Sequence, residues 1–357
     1  MENIFAKRLG SARRMAGISL QSLADQLANV VTKQSLSKYE QGIMRPDSEL
    51  VIALAEVLKV PVNYFYTEPD AEVQFVNIGF RKYISKLSPV QEASVLEKSK
   101  ELLERYLELE NILNLDEESQ YFEYTQPIEK PEDAEKAAIE LRLQWNLGND
   151  PIPGIVEMLE DKGYKVIEIE APDSFDGLKA ETGNHKVIVL RTTKPDDDIV
   201  RKRFTALHEL AHHALKFHDT ISEKDEEKLC HAFASAVLYP SEMALKEMHR
   251  DRFHFYQNEL VLIKERWGIS LAATFARALQ LGIITDYVFK KFTIGYRQRN
   301  YHKPNIEPGR FPGKEKPKRM ERLVCLGLAK EVITINEAAY FSGITSWELL
   351  TNMNQLV

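Results

Sequence analysis

The sequence predicts an α+β protein built in parts: an all-helical N-terminal domain, a mainly helical body with a small sheet, and a helical C-terminal unit. Apolar residues recur at helical spacing over most of the 357 positions, whereas only two runs, Tyr164 to Ile169 and Lys186 to Leu190, have the β-rich character of strands. Polar or Pro/Gly-rich stretches break the chain at residues 116–131 and 290–319. With 44% hydrophobic and 28% charged residues the chain can bury more than one core, which excludes disorder throughout. Apolar runs such as Leu50 to Leu58 and Ala232 to Leu238 fall far short of the roughly 20 residues of a membrane helix, and no charged leader with an apolar core opens the sequence. The expectation is a cytoplasmic protein with no membrane partner. Cys230 and Cys325 form no CxxC pair, so neither a disulfide framework nor a cysteine-based zinc finger is indicated.

Residues 1–66 read as a run of short helices, Ile4 to Met15, Ser19 to Leu27, Gln34 to Tyr39 and Ser48 to Leu58. Ser19 and either Ser48 or Asp47 are placed as N-caps, and Gly17, Gly42 and Pro46 punctuate the gaps. Within residues 67–120, Ser88-Pro89 opens a charged amphipathic helix reaching Leu115, which reads as a connector or dimer arm. The body, residues 121–290, adds helices at Pro131 to Trp145 and Ile152 to Lys162, then the two strands. Helical patterns return at Asp198 to Phe217, Glu223 to Leu238, Glu242 to His249, Glu259 to Trp267 and Ser270 to Leu281. Residues 291–357 read as a basic linker followed by a helical unit from Arg322 to Leu356.

The net charge of −7 is unevenly spread. Residues 1–64 carry eight basic and six acidic side chains, residues 290–322 eleven and three, and the rest of the chain is strongly acidic. Contact with nucleic acid is therefore expected at those two segments.

The strongest chemical signal is His208-Glu209-Leu210-Ala211-His212, an HExxH pattern in a stretch without Gly or Pro. Residues i and i+4 are about 400° apart around a helix, so both imidazoles leave one face and can share a zinc ion. Glu209 is turned about 100° from His208, where it can take a proton from water that zinc acidifies toward a pKa of roughly 7. Peptide hydrolysis needs this set. The pattern arises by chance about 0.02 times in a chain of this composition, although His213 and His218 also allow the plainer reading of a His-rich helix. A catalytic zinc needs a third protein ligand. Glu226, Glu227, Cys230 and His231 follow on the next helix, and helical periodicity does not choose among them.

The string Arg203 to His212, followed by Glu227-x-x-Cys230-x-x-Phe233-Ala234-x-x-Val237-Leu238-x-Pro240, resembles the ImmA/IrrE family of zinc metallopeptidases, whose pattern is HExxH followed by E-x-x-A-x-x-F-A. The resemblance implies a zincin-like domain with Zn2+ held by His208, His212 and Glu227 and with Glu209 as the catalytic base. Cys230 stands where the family has a small residue. Leu141-Arg142-x-x-Trp145, Phe175-Asp176-Gly177 and the run from Ser270 to Ile283 extend the resemblance over residues 131–290. A peptide substrate would then lie as an added strand on the edge of the small sheet.

Residues 4–66 resemble a Cro/cI-type helix-turn-helix domain of the XRE family, through Leu9, Arg13, Arg14, Leu20 to Ala24, Leu36 to Gly42 and Ala53 to Val60. The resemblance implies a double-stranded DNA operator bound by a homodimer, with Thr32, Lys33, Gln34, Ser35 and Lys38 toward the bases and Arg13 on phosphate. Between Leu27 and Lys33 the turn is about two residues longer than usual and lacks its glycine. A small helical interaction module is the plainer reading of this domain. In residues 290–322, Phe292, Tyr296, Tyr301 and Phe311 alternate with basic side chains. Such a pattern suits single-stranded DNA, or else a solvated linker.

The reading as a whole is a DNA-binding transcriptional regulator with a zinc endopeptidase that cleaves a helix-turn-helix repressor in response to a signal. Two alternatives stand beside it: a non-proteolytic DNA-binding regulator with a structural or sensing zinc site, and a peptidase activated by single-stranded DNA.

Overall fold

Ser19, Thr32 and Asp47 each turn a side-chain oxygen onto the amide three residues ahead, at 3.0, 3.1 and 2.8 Å, and these caps start three of the N-terminal helices. Asp47, and not Ser48, is the cap of the fourth. In the computed structural model, which describes residues 4–68, 73–80, 87–115, 118–194 and 197–352, the N-terminal domain comprises α1 (Ile4–Met15), α2 (Leu20–Gln26), α3 (Lys33–Glu40) and α4 (Ser48–Leu58), closed by a 3-10 turn over Val62–Tyr66. Leu9, Leu23, Leu36, Leu54 and Phe65 are buried in its core.

A short strand, β1 (Val76–Phe80), and a long helix, α5 (Pro89–Ile112), follow. A capping box between Ser88 and Gln91 opens α5. The body then runs β2 (Pro127–Ile128), α6 (Pro131–Gln144), α7 (Ile155–Asp161), β3 (Lys165–Ile169), β4 (Gly177–Thr182), β5 (His185–Arg191), α8 (Val200–Ala214), β6 (Lys216–Phe217), α9 (Glu223–Leu238), α10 (Ser241–Met248), α11 (Gln257–Trp267), α12 (Leu271–Gln280) and α13 (Asp286–Gln298). Three helices, α14 (Arg319–Ala329), α15 (Ile335–Ser342) and α16 (Ser346–Asn352), form the C-terminal unit.

The main sheet has the order β1-β4-β5-β3. β3 is parallel to β5, β4 is antiparallel to β5, and β1 is antiparallel to β4; β2 and β6 make a separate two-residue parallel pair. The α+β class therefore holds, with twice the expected strands in the main sheet.

Helix α5 is more than a connector. Arg8 of α1 donates to Glu101 at 3.0 Å, Arg14 to Glu97 at 2.9 Å, and Ser94 to the Met15 carbonyl at 2.9 Å. Further along, Glu110 holds Lys165 of β3 at 2.6 Å, and Arg105 reaches the Tyr340 carbonyl of α15 at 3.2 Å. Its apolar side chains Leu103, Tyr106 and Leu109 are buried with residues of the sheet and the C-terminal unit. One helix thus touches all three parts of the molecule.

The stretch at 290–319 corrects the linker expectation. Its first third is helix α13, and the rest is a strap laid across the body. Glu315 is 4% exposed; its two oxygens accept the Ile155 and Val156 amides at 2.9 Å each, and it pairs with Arg203 of α8. Asn305 donates to Asp197 at 2.8 Å, and Glu307 lies 3.0 Å from the buried Lys264 amine. Glu315→Ala should leave the Arg203 guanidinium buried without its counter-charge and two helix amides unbonded. The expected loss is roughly 3 to 5 kcal/mol, read as a lower denaturation midpoint.

Candidate metal centre and nucleic-acid interface

Helix α8 is oriented by what its successive residues meet. Lys202 pairs with Glu168 of β3, and His213 shares a hydrogen bond of 3.0 Å with the Val187 carbonyl of β5. Thr205 and Glu209 pack on Gly177 of β4, where an added Cβ would come within 2.8 Å of Thr205 and 3.4 Å of the Glu209 stem. At about 100° per residue, this sequence of contacts sweeps across the sheet from β3 to β4. His212 and His208 come next, beyond β4. The two imidazoles therefore leave the helix on the β4 side of the sheet.

Helix α9 brings the third group. The Nε2 atoms of His208 and His212 are 3.2 Å apart, Glu227 Oε2 is 3.3 Å from the first, and Glu227 Oε1 is 3.4 Å from the second. Four ligand atoms around an ion with bonds of about 2.0 to 2.1 Å lie about 3.3 to 3.4 Å from one another at the corners of a tetrahedron. The two imidazole nitrogens have that spacing, and each has one carboxylate oxygen of Glu227 at the same range, so this donor set fits a zinc-sized ion with a position left over.

The four residues that periodicity could not separate have distinct places. Glu227 faces both Nε2 atoms. Glu226 and Cys230 stand behind His212, 3.3 and 3.6 Å from its Nδ1, which turns Nε2 toward the centre. His231 lies beside His208 with ring centroids 4.8 Å apart. Burial alone would lower the His212 imidazole, but Cys230 and the two carboxylates outweigh it and push its pKa up to about 12. The same proximity holds the Glu227 carboxyl well below its usual range against burial. Glu209 is fully buried on the turn that carries His208.

His213 does not belong to the centre. It faces the sheet, and burial pulls its pKa down to about 4, as suits a neutral imidazole bonded to a carbonyl. His218 is exposed and bonds Thr220. Past Phe204, whose ring is 5.5 Å from that of His231, a cleft of about 600 Å³ opens between the start of α8 and the strap, lined by Thr205, Ser270, Tyr296 and Tyr301.

Sequence reasoning missed what anchors this helix. Arg203 is fully buried, donates to the Pro153 and Ile152 carbonyls at 3.1 and 2.6 Å, and lies over the Phe311 ring at 4.2 Å. Its guanidinium comes so close to Gly268 that any side chain there would collide with it.

On the N-terminal domain, Lys33, Gln34 and Lys38 are exposed along α3, and Ser35 is partly so. Thr32 is exposed too, although its hydroxyl caps α3 through Ser35. Ala28 and Asn29 both take positive φ, 53° and 59°, and supply the turn that a glycine would otherwise make. Arg13 corrects the phosphate expectation: it forks onto Glu40 at 2.6 and 2.9 Å and donates to the Ile18 carbonyl at 3.0 Å. It ties α1 to the far end of α3. The aromatic residues at 290–322 each have a partner within the body, with Phe311 buried and the other three half-buried. Phe292 stacks on Phe275 at 3.5 Å, Tyr296 bonds Glu307, Tyr301 bonds Gln257, and Phe311 covers Arg203.

Residues 9–65 match the family model described as helix-turn-helix. Residues 159–279 match that of the IrrE N-terminal-like domain, a peptidase family. No curated protein sequence matches the chain. Fold and site together define a helix-turn-helix DNA-binding protein that carries a metallopeptidase-like domain. In family terms the chain is a fusion of an XRE-type helix-turn-helix domain with an ImmA/IrrE-type peptidase domain. No helix among the described residues is long and apolar enough to cross a membrane.

The geometry separates the two glutamates by experiment. Metal analysis of purified protein should give about one ion per chain, as three ligands and an open position imply. Glu227→Ala should lower that content sharply, while Glu226→Ala should leave most of it.

Proposed function

We propose that the protein is a DNA-binding transcriptional regulator whose zinc endopeptidase domain cuts a helix-turn-helix repressor when a signal arrives. The observation that carries the reading is the meeting of His208, His212 and Glu227 donor atoms at 3.2 to 3.4 Å, beside a buried Glu209. These three residues would hold the zinc, which when bound polarises a scissile carbonyl and acidifies water.

The remaining work falls to the chain itself. Glu209 accepts a proton at its carboxylate and can return it to the departing amine nitrogen. The cleft lined by Phe204, Tyr296 of α13 and Tyr301 of the strap takes the peptide on one side of the centre. Glu226 and Cys230 keep His212 turned so that its Nε2, and not its Nδ1, faces the reaction.

Glu209→Gln tests the enzymatic part. The isosteric amide leaves the three ligands in place, so the variant should stay folded, zinc-loaded and able to bind DNA. Its cleavage of a repressor encoded beside it should fall by roughly 10² to 10⁴. Full cleavage by the zinc-loaded variant would reject Glu209 as the base, and no cleavage by the wild-type protein would favour a non-proteolytic regulator.

The DNA-binding part rests on Lys33, Gln34 and Lys38, which stand free at the start and outer face of α3. Gln34→Ala should relax selectivity at one base pair, at about 1 to 3 kcal/mol, measured by competition among operator variants.

A further inference from the structure

We infer that the outer side of β4 is the substrate-binding edge of the metal centre, and that the chain's own interdomain strand β1 holds this edge as an intrachain substitute for an extended peptide. The inference rests on the peptidase reading above and adds which edge of the sheet faces the centre and what blocks it.

Four observations carry it. First, the sweep of α8 across the sheet puts His208 and His212 beyond β4, on the side where that strand would be the open edge if β1 were absent. The other edge, β3, meets α8 on the side away from the histidines, through the Lys202–Glu168 pair. Second, β1 pairs antiparallel with β4 at the level of the centre: Phe80 lies opposite Leu178, Gly79 opposite Lys179 and Val76 opposite Glu181. Leu178 is next to Gly177, on which Glu209 packs, and Glu181 lies 3.6 Å from His213. The strand therefore runs alongside the HExxH turn.

Third, β1 is lightly held. A register shift between Val76 and Gly79 interrupts the ladder, and Asn77 sits at a φ of 51°. Val76 and Ile78 are 52% and 37% exposed. Side-chain support includes the Asn77 amide, which donates to Glu181 at 2.7 Å. These two side chains bury little, while the anchor of the segment lies just before the strand, at the buried Val73. Fourth, β1 begins ten residues after the 3-10 turn that closes the helix-turn-helix domain, so it belongs to the segment joining that domain to α5.

A peptide held straight for hydrolysis gains its affinity from main-chain pairing on a sheet edge and its selectivity from alternate side chains. The edge of β4 offers that pairing, and β1 shows what it accepts: an extended segment with apolar residues at alternate positions, following a helix-turn-helix domain. Such a segment from another polypeptide must displace β1 to reach the centre.

The test uses a fluorescein-labelled peptide with the sequence of residues 73–80 and three full-length proteins: wild type, Gly79→Pro and Asn77→Val. Proline fixes φ at 79 and brings ring atoms onto the Lys179 side chain, which lies 3.0 Å from where a Cβ would stand, and a β-branched residue does not tolerate the φ of Asn77. Zinc content and circular dichroism report folding of each. With β1 displaced, the competent fraction rises and both variants should bind the peptide at least about tenfold more tightly than wild type by fluorescence anisotropy. With Co2+ in place of zinc in Gly79→Pro, proton lines of the bound peptide should broaden, since the edge runs beside the metal. Equal binding by all three proteins, no binding by either variant, or binding without broadening would each overturn the inference. Failure to cut a repressor would overturn the peptidase reading alone, because neither peptide measurement depends on turnover.

Discussion

Five residues before His208, a guanidinium is buried with no access to water, and the arrangement of the body follows from the need to satisfy it. Arg203 is met by the carbonyls of Ile152 and Pro153, by the Glu315 carboxylate and by the Phe311 ring, while Gly268 leaves room beside it. An ion taken out of water without such partners would destabilise the fold by several kcal/mol. Its partners come from the loop before α7 and from the strap, so the same contacts that neutralise Arg203 also clamp the metal helix. Glu315 further bonds the first amides of α7. The position of the histidines is thereby set by groups that take no part in the chemistry.

With α8 clamped, the centre needs little more. Two adjacent helices supply all three donors, the first through the i, i+4 spacing and the second through its crossing of α8. Glu226 and Cys230, which spacing alone left as rival ligands, become the groups that orient His212. The sheet contributes closeness: Gly177 lets β4 lie against Thr205 and Glu209, and the start of that strand is in this way brought to the reacting face.

Much of this was legible in the amino-acid order. The HExxH run reads directly because its geometry is local to one helix, and α4 and α9 begin where predicted because Asp47 and Ser222 cap them. Glu227 needed either the family resemblance or the structure, since the loop between α8 and α9 has no period to count. Strand β4 escaped because Gly-Leu-Lys-Ala-Glu-Thr has one β-branched residue, and β1 because Asn77 and Gly79 break its pattern. Arg13 was placed on DNA by analogy, whereas Glu40, 27 residues on, claims its side chain. The strap was read as a linker for the same reason at greater distance: nothing near Glu315 announces that its partner is Arg203.

That separation, 112 residues, has a consequence for the order in which the molecule is made. A ribosome adds about 5 to 20 residues per second, so α8 leaves it several seconds to some tens of seconds ahead of Glu315. Throughout that interval the guanidinium must remain hydrated and the metal helix cannot settle into its final seat. The peptidase body therefore matures from its far side backwards: the helix-turn-helix domain, whose elements end at Tyr66, can fold early, while the metal-binding helix waits for a segment made 112 residues after Arg203.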